Sequence, residues 1–373
     1  MEMNKHKVDP DTQNPRKRMK KGERIIDKLH DDILIAIVSC MSLKDAVRTS
    51  VLSSRWRYLW MFSGKLEFDD RDTSTGKIMK RVNFKAWVNR VLKLHRGPQV
   101  DSLVIRFSTN LYYQARTSGI DSWIYFAMQK KVKSFELNLS VEKGIFPCFP
   151  YRFPNIKKLL SRSDQVKSFG FRSLRSLRLA YVDIEDEVVH YFLASCPCIE
   201  QLCIRASNKA TKNLEIGRER TIASPDLHQL YSLKRLELTV LSMNCRSLLF
   251  FTSLIKSSPN LQEFRIKRGS TQLFPVVSSV MTAEFQHKNL KVIELSGYVG
   301  ITSEDEFILH LIKVAPSLDV VFIDTQTDHH AKENYDRFGT SPDWQDCQLR
   351  LYAMYRAEGL ARTCISQIKF VIT

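Results

Sequence analysis

The densest group of residues that could bind a metal ion is a cysteine cluster. Cys196, Cys198 and Cys203 lie close enough together to supply ligands for a soft metal such as Zn²⁺. No second pair of Cys or His follows at zinc-finger spacing. Most of the eight cysteines lie in apolar runs, which is typical of buried free thiols. We therefore expect core thiols and no metal site.

Catalytic motifs are missing from the sequence. It contains no Gly-x-Ser-x-Gly elbow, no phosphate-binding Gly-rich loop ending in Lys-Ser or Lys-Thr, and no His-Glu-x-x-His. His329 and His330 stand together in a polar stretch, where a solvated pair is the simpler interpretation. The sequence predicts a protein that is not an enzyme and needs no cofactor.

Basic residues outnumber acidic ones, 57 to 40, which makes the formal net charge +17 and favours acidic partners. Alternate residues of a strand face opposite sides, so several basic residues of predicted strands should point away from the core. They could form a groove for an acidic or phosphorylated segment held by guanidinium groups. They could equally form a solvated charged face. The candidates for target binding are Arg178, Arg205, Arg235, Arg265 and Lys267, which the repeats would place at equivalent outward positions along one face.

An apolar-x-x-apolar-x-apolar pattern recurs along the chain. Its last four copies are 28 or 29 residues apart, near the upper end of the leucine-rich-repeat period. Between copies, apolar residues follow helical spacing in the segments 186–195, 246–257 and 304–314. One strand–helix unit cannot bury its own apolar face, whereas stacked units can. We therefore predict an α/β fold in which a curved solenoid carries a parallel sheet on its concave side. A doubly wound α/β domain would have no reason to repeat this pattern. The copies end at Ile105, Leu137, Leu179, Ile204, Leu238, Ile266, Leu295 and Ile323.

Before the repeats, residues 27–60 predict three short helices with apolar residues on more than one face. Asp31 and Asp32 suit the start of the first helix, and Ser42 with Asp45 is a variant of the capping box at the second. A unit this small cannot bury so much apolar surface by itself. The excess surface must lie against the rest of the chain or against another protein.

These helices resemble the F-box, in the form that precedes leucine-rich repeats in plants. The match runs through DKLHDDILIAIVSCMSLKDAVRTSVLSSRWRYLW and is closest over residues 44–53 and 55–60. His30 stands where the family usually has proline. The region from about residue 285, including HKNLKVIELSGYVGI, resembles the FBD-like C-terminal region of plant F-box proteins.

The resemblance implies a substrate-recognition subunit of a Skp–cullin–F-box ubiquitin ligase. The F-box would dock on a Skp-type adaptor, the adaptor would join it to a cullin, and the repeats would hold a target protein for ubiquitination. The positions expected to face or support the adaptor are Leu29, His30, Ile33, Leu34, Ile37, Val47, Val51 and Trp56.

The expected domain organisation has five parts. Residues 1–22 form a disordered basic tail, 23–63 the F-box, 64–98 a linker and first helix, 99–325 the repeats, and 326–373 a helix–strand cap. The cluster Arg16–Lys21 is typical of nuclear import signals. No apolar run approaches the length that spans a bilayer. We expect a nuclear or cytoplasmic protein that does not contact membranes.

Two other functions fit the same architecture. The solenoid could be the receptor for an anionic small ligand. It could instead be a basic repeat protein that binds nucleic acid and carries a vestigial F-box. Single-strand binders use exposed aromatic residues interleaved with basic ones. The basic positions here lack that interleaving, so nucleic acid is the less expected partner.

Overall fold

The computed structural model describes residues 25–71, 81–107, 119–139, 151–155, 170–184, 186–205, 229–240, 247–268, 285–326, 344–364 and 368–373. The predicted tail at 1–22, with its cluster Arg16–Lys21, and the His329–His330 pair lie outside these residues.

The N-terminal unit contains the three predicted helical segments. They are α1 (Asp31–Ser39), α2 (Leu43–Arg48), which continues into a 3-10 turn at Thr49–Val51, and a 3-10 helix at Trp56–Phe62. A further 3-10 turn, Ile25–Lys28, precedes them. Ser42 caps α2, since its hydroxyl accepts a hydrogen bond from the Asp45 amide at 3.2 Å. Asp31 and Asp32 occupy the first turn of α1, where they complement the helix dipole.

One ten-stranded parallel sheet organises the rest of the chain, in the order β1-β2-β3-β5-β7-β8-β9-β10-β11-β12. A second, two-stranded sheet pairs β4 with β6. The main sheet does not close, so β1 and β12 are its edges. The strands are β1 (Lys65–Asp69), β2 (Ser102–Arg106), β3 (Ser134–Asn138), β4 (Tyr151–Arg152), β5 (Ser176–Ala180), β6 (Val182–Asp183), β7 (Gln201–Arg205), β8 (Arg235–Val240), β9 (Glu263–Arg268), β10 (Val292–Ser296), β11 (Val320–Asp324) and β12 (Lys369–Ile372).

Helices lie between several of these strands, as in a leucine-rich-repeat solenoid. They are α3 (Arg81–Leu94), α4 (Ile120–Gln129), α5 (Asp186–Ser195), α6 (Ser247–Lys256), α7 (Thr302–Val314) and α8 (Trp344–Thr363). The predicted fold class is confirmed. Every copy of the repeat pattern forms a strand of the main sheet, and the helices at 186–195, 246–257 and 304–314 lie where the spacing placed them.

Two inward rows of apolar side chains hold the sheet together. Leu103, Phe135 and Leu177 are cross-strand neighbours in one row, and each is fully buried. Ile105, Leu137 and Leu179 form the other row in the same way. Trp60 and Met61 of the N-terminal unit belong to the same buried cluster as Leu66 of β1. The polypeptide thus has one continuous apolar core from the first helices to α8.

The turns before the strands are tied to each other by side chains. The amide of Asn260 donates to the carbonyl of Tyr231 at 2.8 Å, and that of Asn289 to the carbonyl of Pro259 at 2.9 Å. The hydroxyl of Ser317 donates to the carbonyl of Lys288 in the same manner. Each bond spans 29 or 30 residues, one repeat, so these side chains keep successive repeats in register.

On the face of the sheet opposite the helices, which we call the open face, acidic and basic side chains pair across strands. Arg106 on β2 meets Glu67 at 2.7 Å and Glu136 at 2.8 Å. Further along the sheet, Arg205 meets Glu237 at 2.6 Å. The pairs Arg235–Glu263 and Arg265–Glu294, at 2.6 and 2.7 Å, follow on the next strands. We call this series the ion-pair ladder.

A buried polar cluster closes the C-terminal end. Glu304, 3% exposed, accepts hydrogen bonds from the amides of Val299 and Gly300 and from the guanidinium of Arg268. Beside it, Asp305 accepts hydrogen bonds from Tyr298 and from Arg356 of α8. The cluster therefore joins β9, the turn before α7, and α8.

One expectation about secondary structure needs correction. The connector predicted after the F-box is wrong for Lys65–Asp69, which forms β1 and pairs with β2 over its full length. On α8, Leu351 and Tyr355 are 66% and 71% exposed.

The face of α8 that packs on the core is lined by small residues, Ala353 and Ala357. Gly300, with φ of +79°, lies so close to the helix that an added Cβ would stand 3.0 Å from the Arg356 side chain and 3.5 Å from the Ala353 Cα. This close approach explains the alanines. The helix α4 and the short strands β4 and β6 were not predicted.

Glu304→Gln should lower the free energy of unfolding by about 3 kcal/mol, because it removes the carboxylate charge that lies 3.0 Å from the buried Arg268 guanidinium. Urea unfolding followed by circular dichroism measures the change. Glu306→Gln is the matched control, since Glu306 is on the same helix but exposed. Equal stability of the two variants would show that the cluster does not hold the C-terminal end.

The ladder makes stability depend on pH. Burial opposes ionisation of Glu237, but the hydrogen bond and charge of Arg205 outweigh it, so the pKa of Glu237 lies below its ordinary value of 4.5. A lowered carboxyl pKa stabilises the folded state above the ordinary value, and this contribution disappears as the pH falls through the folded-state pKa. Glu237→Gln should remove about 0.5–1 kcal/mol of the stability that the protein loses between roughly pH 5 and pH 3.

Urea titrations across that pH range test this. Glu358→Gln, which removes a solvent-exposed pair with Arg362 within α8, should leave the pH profile unchanged. A profile of Glu237→Gln that overlays the parent would contradict the prediction.

Candidate functional site

The eight predicted adaptor residues divide into exposed and buried ones. Ile33, Val47 and Val51 are 49%, 41% and 87% exposed, and His30 is exposed as well. Leu29 and Ile37 are partly buried against the core. Leu34 and Trp56 are 0% and 2% exposed, so they can only support a binding surface from beneath.

Local structure explains why these side chains face outward. Val47 lies on α2 and Val51 one turn later, so both fall on the same side of the helical run. Leu52 and Tyr58 extend the apolar exposure, at 49% and 51%, and the sequence-based list missed them. The hydroxyl of Ser50 donates to the carbonyl of Arg57 at 3.3 Å, which brings the two segments together. We call Ile33, Val47, Val51, Leu52 and Tyr58 the N-terminal apolar surface.

Arg55 joins the start of α1 to the third helical segment. Its guanidinium meets the Asp31 carboxylate at 2.7 Å and also donates to the carbonyl of Leu29. This contact places the beginning of α1 beside the residues that follow Leu52. The N-terminal apolar surface therefore rests on a braced three-segment unit, whose own core includes the buried Leu34, Val38 and Trp56.

His30 has the backbone geometry that a proline would adopt at this position. Its φ is −62° and its ψ 151°, close to the φ of about −65° that a proline ring imposes. Its side chain lies 3.1 Å from the Asp32 carboxylate, in solvent. The entry into α1 is thus preserved without the ring.

The basic residues predicted for target binding do not form one row. Strand register places Arg178 and Arg265 in the middle row of the open face, with Cys203 between them on β7. Arg205 and Lys267 stand one row further along the strands, and Arg235 in the row before. The expected alignment of Arg205 with Arg178 is wrong by two residues, because Arg205 pairs with Ala180.

These arginines also have carboxylate partners inside the protein. Arg205, Arg235 and Arg265 belong to the ion-pair ladder, and Arg178 stands 4.0 Å from Glu136. A guanidinium already paired with a carboxylate offers less to an anionic ligand. The middle of the open face is therefore a nearly balanced array of charges.

The cysteine cluster is divided by the fold. Cys196 and Cys203 are buried and Cys198 is exposed. Burial, with a smaller contribution from Cys198, raises the pKa of Cys196 to about 12. Burial, aided by the charge of Glu237, raises that of Cys203 to about 11. Metal ligation requires thiolates, so these two buried positions favour the protonated form that metals do not bind.

The C-terminal third of the open face has a different character. Val292 and Val320 are neighbours in one row, and Phe322 and Val371 are neighbours in the next. All four are partly exposed. We call them the open-face apolar patch. Strand alternation was the signal available in the sequence, and the strand register was needed to bring these four residues together as a group.

In the part of the chain that the structure describes, no set of three or more metal-binding side chains comes together. None of the described helices combines the length and apolarity needed to cross a membrane.

Comparisons with known proteins agree with this architecture. Residues 26–66 match the F-box domain, and residues 120–222 match the family described as FBD-associated F-box protein At5g56370, LRR repeats. The F-box match overlaps the helical unit, and the repeat match runs from α4 past β7.

The relatives are Arabidopsis thaliana proteins. F-box/LRR-repeat protein At3g26922 is 32% identical over 216 residues, which cover 56% of this chain and 67% of the relative. F-box/LRR-repeat protein At3g03360 is 28% identical, over 62% of this chain and 48% of the relative. Putative FBD-associated F-box protein At5g56440 is 31% identical, over 56% and 47%.

The chain thus spans about half the length of several curated relatives that it matches. The match to At3g26922 covers two thirds of that protein, and it accompanies an F-box match at the helical unit and a repeat match at the parallel sheet. The chain belongs to the F-box/LRR-repeat family.

Proposed function

We propose that this protein is the substrate-recognition subunit of a Skp–cullin–F-box ubiquitin ligase. The observation that carries the proposal is the N-terminal apolar surface, on which Val51 is 87% exposed, whereas Leu34 and Trp56 of the same F-box are buried. Exposed apolar groups of this kind in a small braced unit mark a protein interface. A Skp-type adaptor would cover them and connect the chain to a cullin.

The chain would act by tethering and would supply no covalent chemistry. A target protein held on the solenoid has its lysines at high effective concentration near the ubiquitin-conjugating enzyme at the other end of the assembly. The continuous core between the F-box and the sheet supports this role, because it makes one body of the two binding surfaces. The family names also indicate an adaptor and not an enzyme.

Two other functions, a receptor for an anionic small ligand and a nucleic-acid-binding repeat protein, depend on cationic groups that can reach the ligand. Arg205, Arg235 and Arg265 are engaged by carboxylates on neighbouring strands. The open face therefore favours a protein target over an anionic ligand. We also propose that the protein resides in the nucleus or cytoplasm, and the basic cluster at 16–21 supports nuclear import.

Replacing Val47 and Val51 together by Asp should abolish adaptor binding, with affinity falling at least about 100-fold, because two charges would have to be desolvated in the interface. Isothermal titration calorimetry with a purified plant Skp-type adaptor measures it. Both side chains are exposed, so the free energy of unfolding should stay within about 0.5 kcal/mol of the parent.

Leu351→Asp is the matched control, an equally exposed apolar residue on α8 far along the chain. It should bind the adaptor like the parent. Retained adaptor binding by the Val47→Asp, Val51→Asp double variant would overturn the docking proposal. In plant cells, proteins that gain ubiquitin when the parent chain is expressed should not gain it with the double variant.

His30→Pro should raise the free energy of unfolding by about 0.4–1 kcal/mol, because the ring restricts the unfolded chain while the folded φ already suits it. The His30 amide donates no hydrogen bond among the described residues, so the substitution removes none. Urea unfolding of the purified protein measures the gain. A loss of stability would mean that the His30 side chain, and not its backbone, holds the entry to α1.

A further inference from the structure

The open-face apolar patch lies where the ion-pair ladder stops. The ladder occupies β1 to β10 and ends at the Arg265–Glu294 pair. The next strands present Phe322 and Val371 at the equivalent middle positions. Val292 and Val320 stand beside them in the row before. The open face thus changes from paired charges to apolar groups within one repeat.

This change decides which part of the face can supply binding energy. A ligand carboxylate that approaches Arg205 or Arg235 must displace Glu237 or Glu263, which lie 2.6 Å from the guanidinium groups. It would exchange one ion pair for another with little net gain. Partly exposed apolar side chains have no partner to lose, and covering them is favourable at about 25 cal/mol per Å².

Two charges of opposite sign border the patch. Lys369 on β12 is the register neighbour of Val320, and Asp324 stands at the other end of β11. Neither forms an ion pair among the described residues. The Asp324 carboxylate accepts one hydrogen bond, from the amide of Gln326 at 2.8 Å. Positions 320 and 324 are four residues apart on one strand, a separation of about 13 Å.

An extended peptide has the same spacing as the strand beneath it. Its residues i, i+2 and i+4 point to one side and span about 13 Å. If residue i+2 covers Phe322 and Val371, residues i and i+4 stand over the levels of Lys369 and Asp324. Charge complementarity then requires an acidic residue at one of these positions and a basic residue at the other.

Resting on the proposed function, we propose that the target is held through an extended peptide segment on the open-face apolar patch. The segment carries an apolar side chain flanked, two residues away on each side, by an acidic residue facing Lys369 and a basic residue facing Asp324. The order is acidic-x-apolar-x-basic for a segment parallel to β11 and the reverse for an antiparallel one.

Selection from a displayed library of random nine-residue peptides tests this, with the full chain bound to its Skp-type adaptor as bait. We expect enriched peptides to share an apolar residue with opposite charges two positions to either side. Enrichment of acidic or phosphate-mimicking peptides without the apolar residue would overturn the proposal, as would the absence of any shared motif.

Charge variants of the bait make the test specific. Lys369→Glu should change the preference at the acidic position to Lys or Arg, and should weaken peptides selected on the parent about tenfold in fluorescence polarisation. Asp324→Asn should remove the preference for a basic residue while its side-chain oxygen still accepts from Gln326. The control is Arg178→Gln, on the same face among the charged rows, which should change neither preference nor affinity.

Unchanged selection with Lys369→Glu, or loss of peptide binding with Arg178→Gln, would place the segment elsewhere and overturn the inference. The Val47→Asp, Val51→Asp variant, used as bait without adaptor, separates the two proposals. If it selects the same motif, the peptide site stands whatever happens to adaptor docking. If the parent binds adaptor but selects no such motif, docking stands and the peptide site does not.

Discussion

The structure depends on the parallel register of its inward apolar rows. Leu103, Phe135 and Leu177 are fully buried because each stands beside its equivalent in the next repeat. A slip of one residue would turn these side chains to the open face and bring charged ones inside. The turn contacts of Asn260 and Asn289 each span one repeat, so they reinforce the same register. At the C-terminal end of the array, the Glu304 cluster supplies buried polar contacts to α8 in place of a further repeat.

Apolar residues play three different parts in this chain, although they are of the same types. In the repeat strands they are shared between neighbours and fully buried. On the F-box, Leu34 and Val38 are core, whereas Ile33 and Val51 are exposed. On the last strands, Phe322 and Val371 are partly exposed on the open face. Exposure, and not residue type, distinguishes the core residues from the candidates for recognition.

Net charge proved a poor guide to the open face. The chain carries +17, yet the basic residues of its strands are largely matched by acidic ones one strand away. Pairing of successive repeats in a parallel sheet brings together positions that are about 28 residues apart in sequence, such as Arg235 and Glu263. The sequence of one strand contains the arginines but does not say which carboxylates the register places beside them. On β7 it is Cys203, and not Arg205, that lies beside Arg178.

The sequence alone determined the class of this protein. The recurrence at about 28 residues predicts stacked strand–helix units, and the resemblance of the run from Asp27 to Trp60 indicates the F-box. Tertiary structure decided the rest. Lys65–Asp69 forms a strand because, at the edge of the sheet, pairing with β2 on one side is sufficient. The alanines of α8 face inward because Gly300 lies so close to that helix. Tertiary structure also decided which apolar side chains stay in water, since burial depends on every element packed around a residue and not on its own neighbours in sequence.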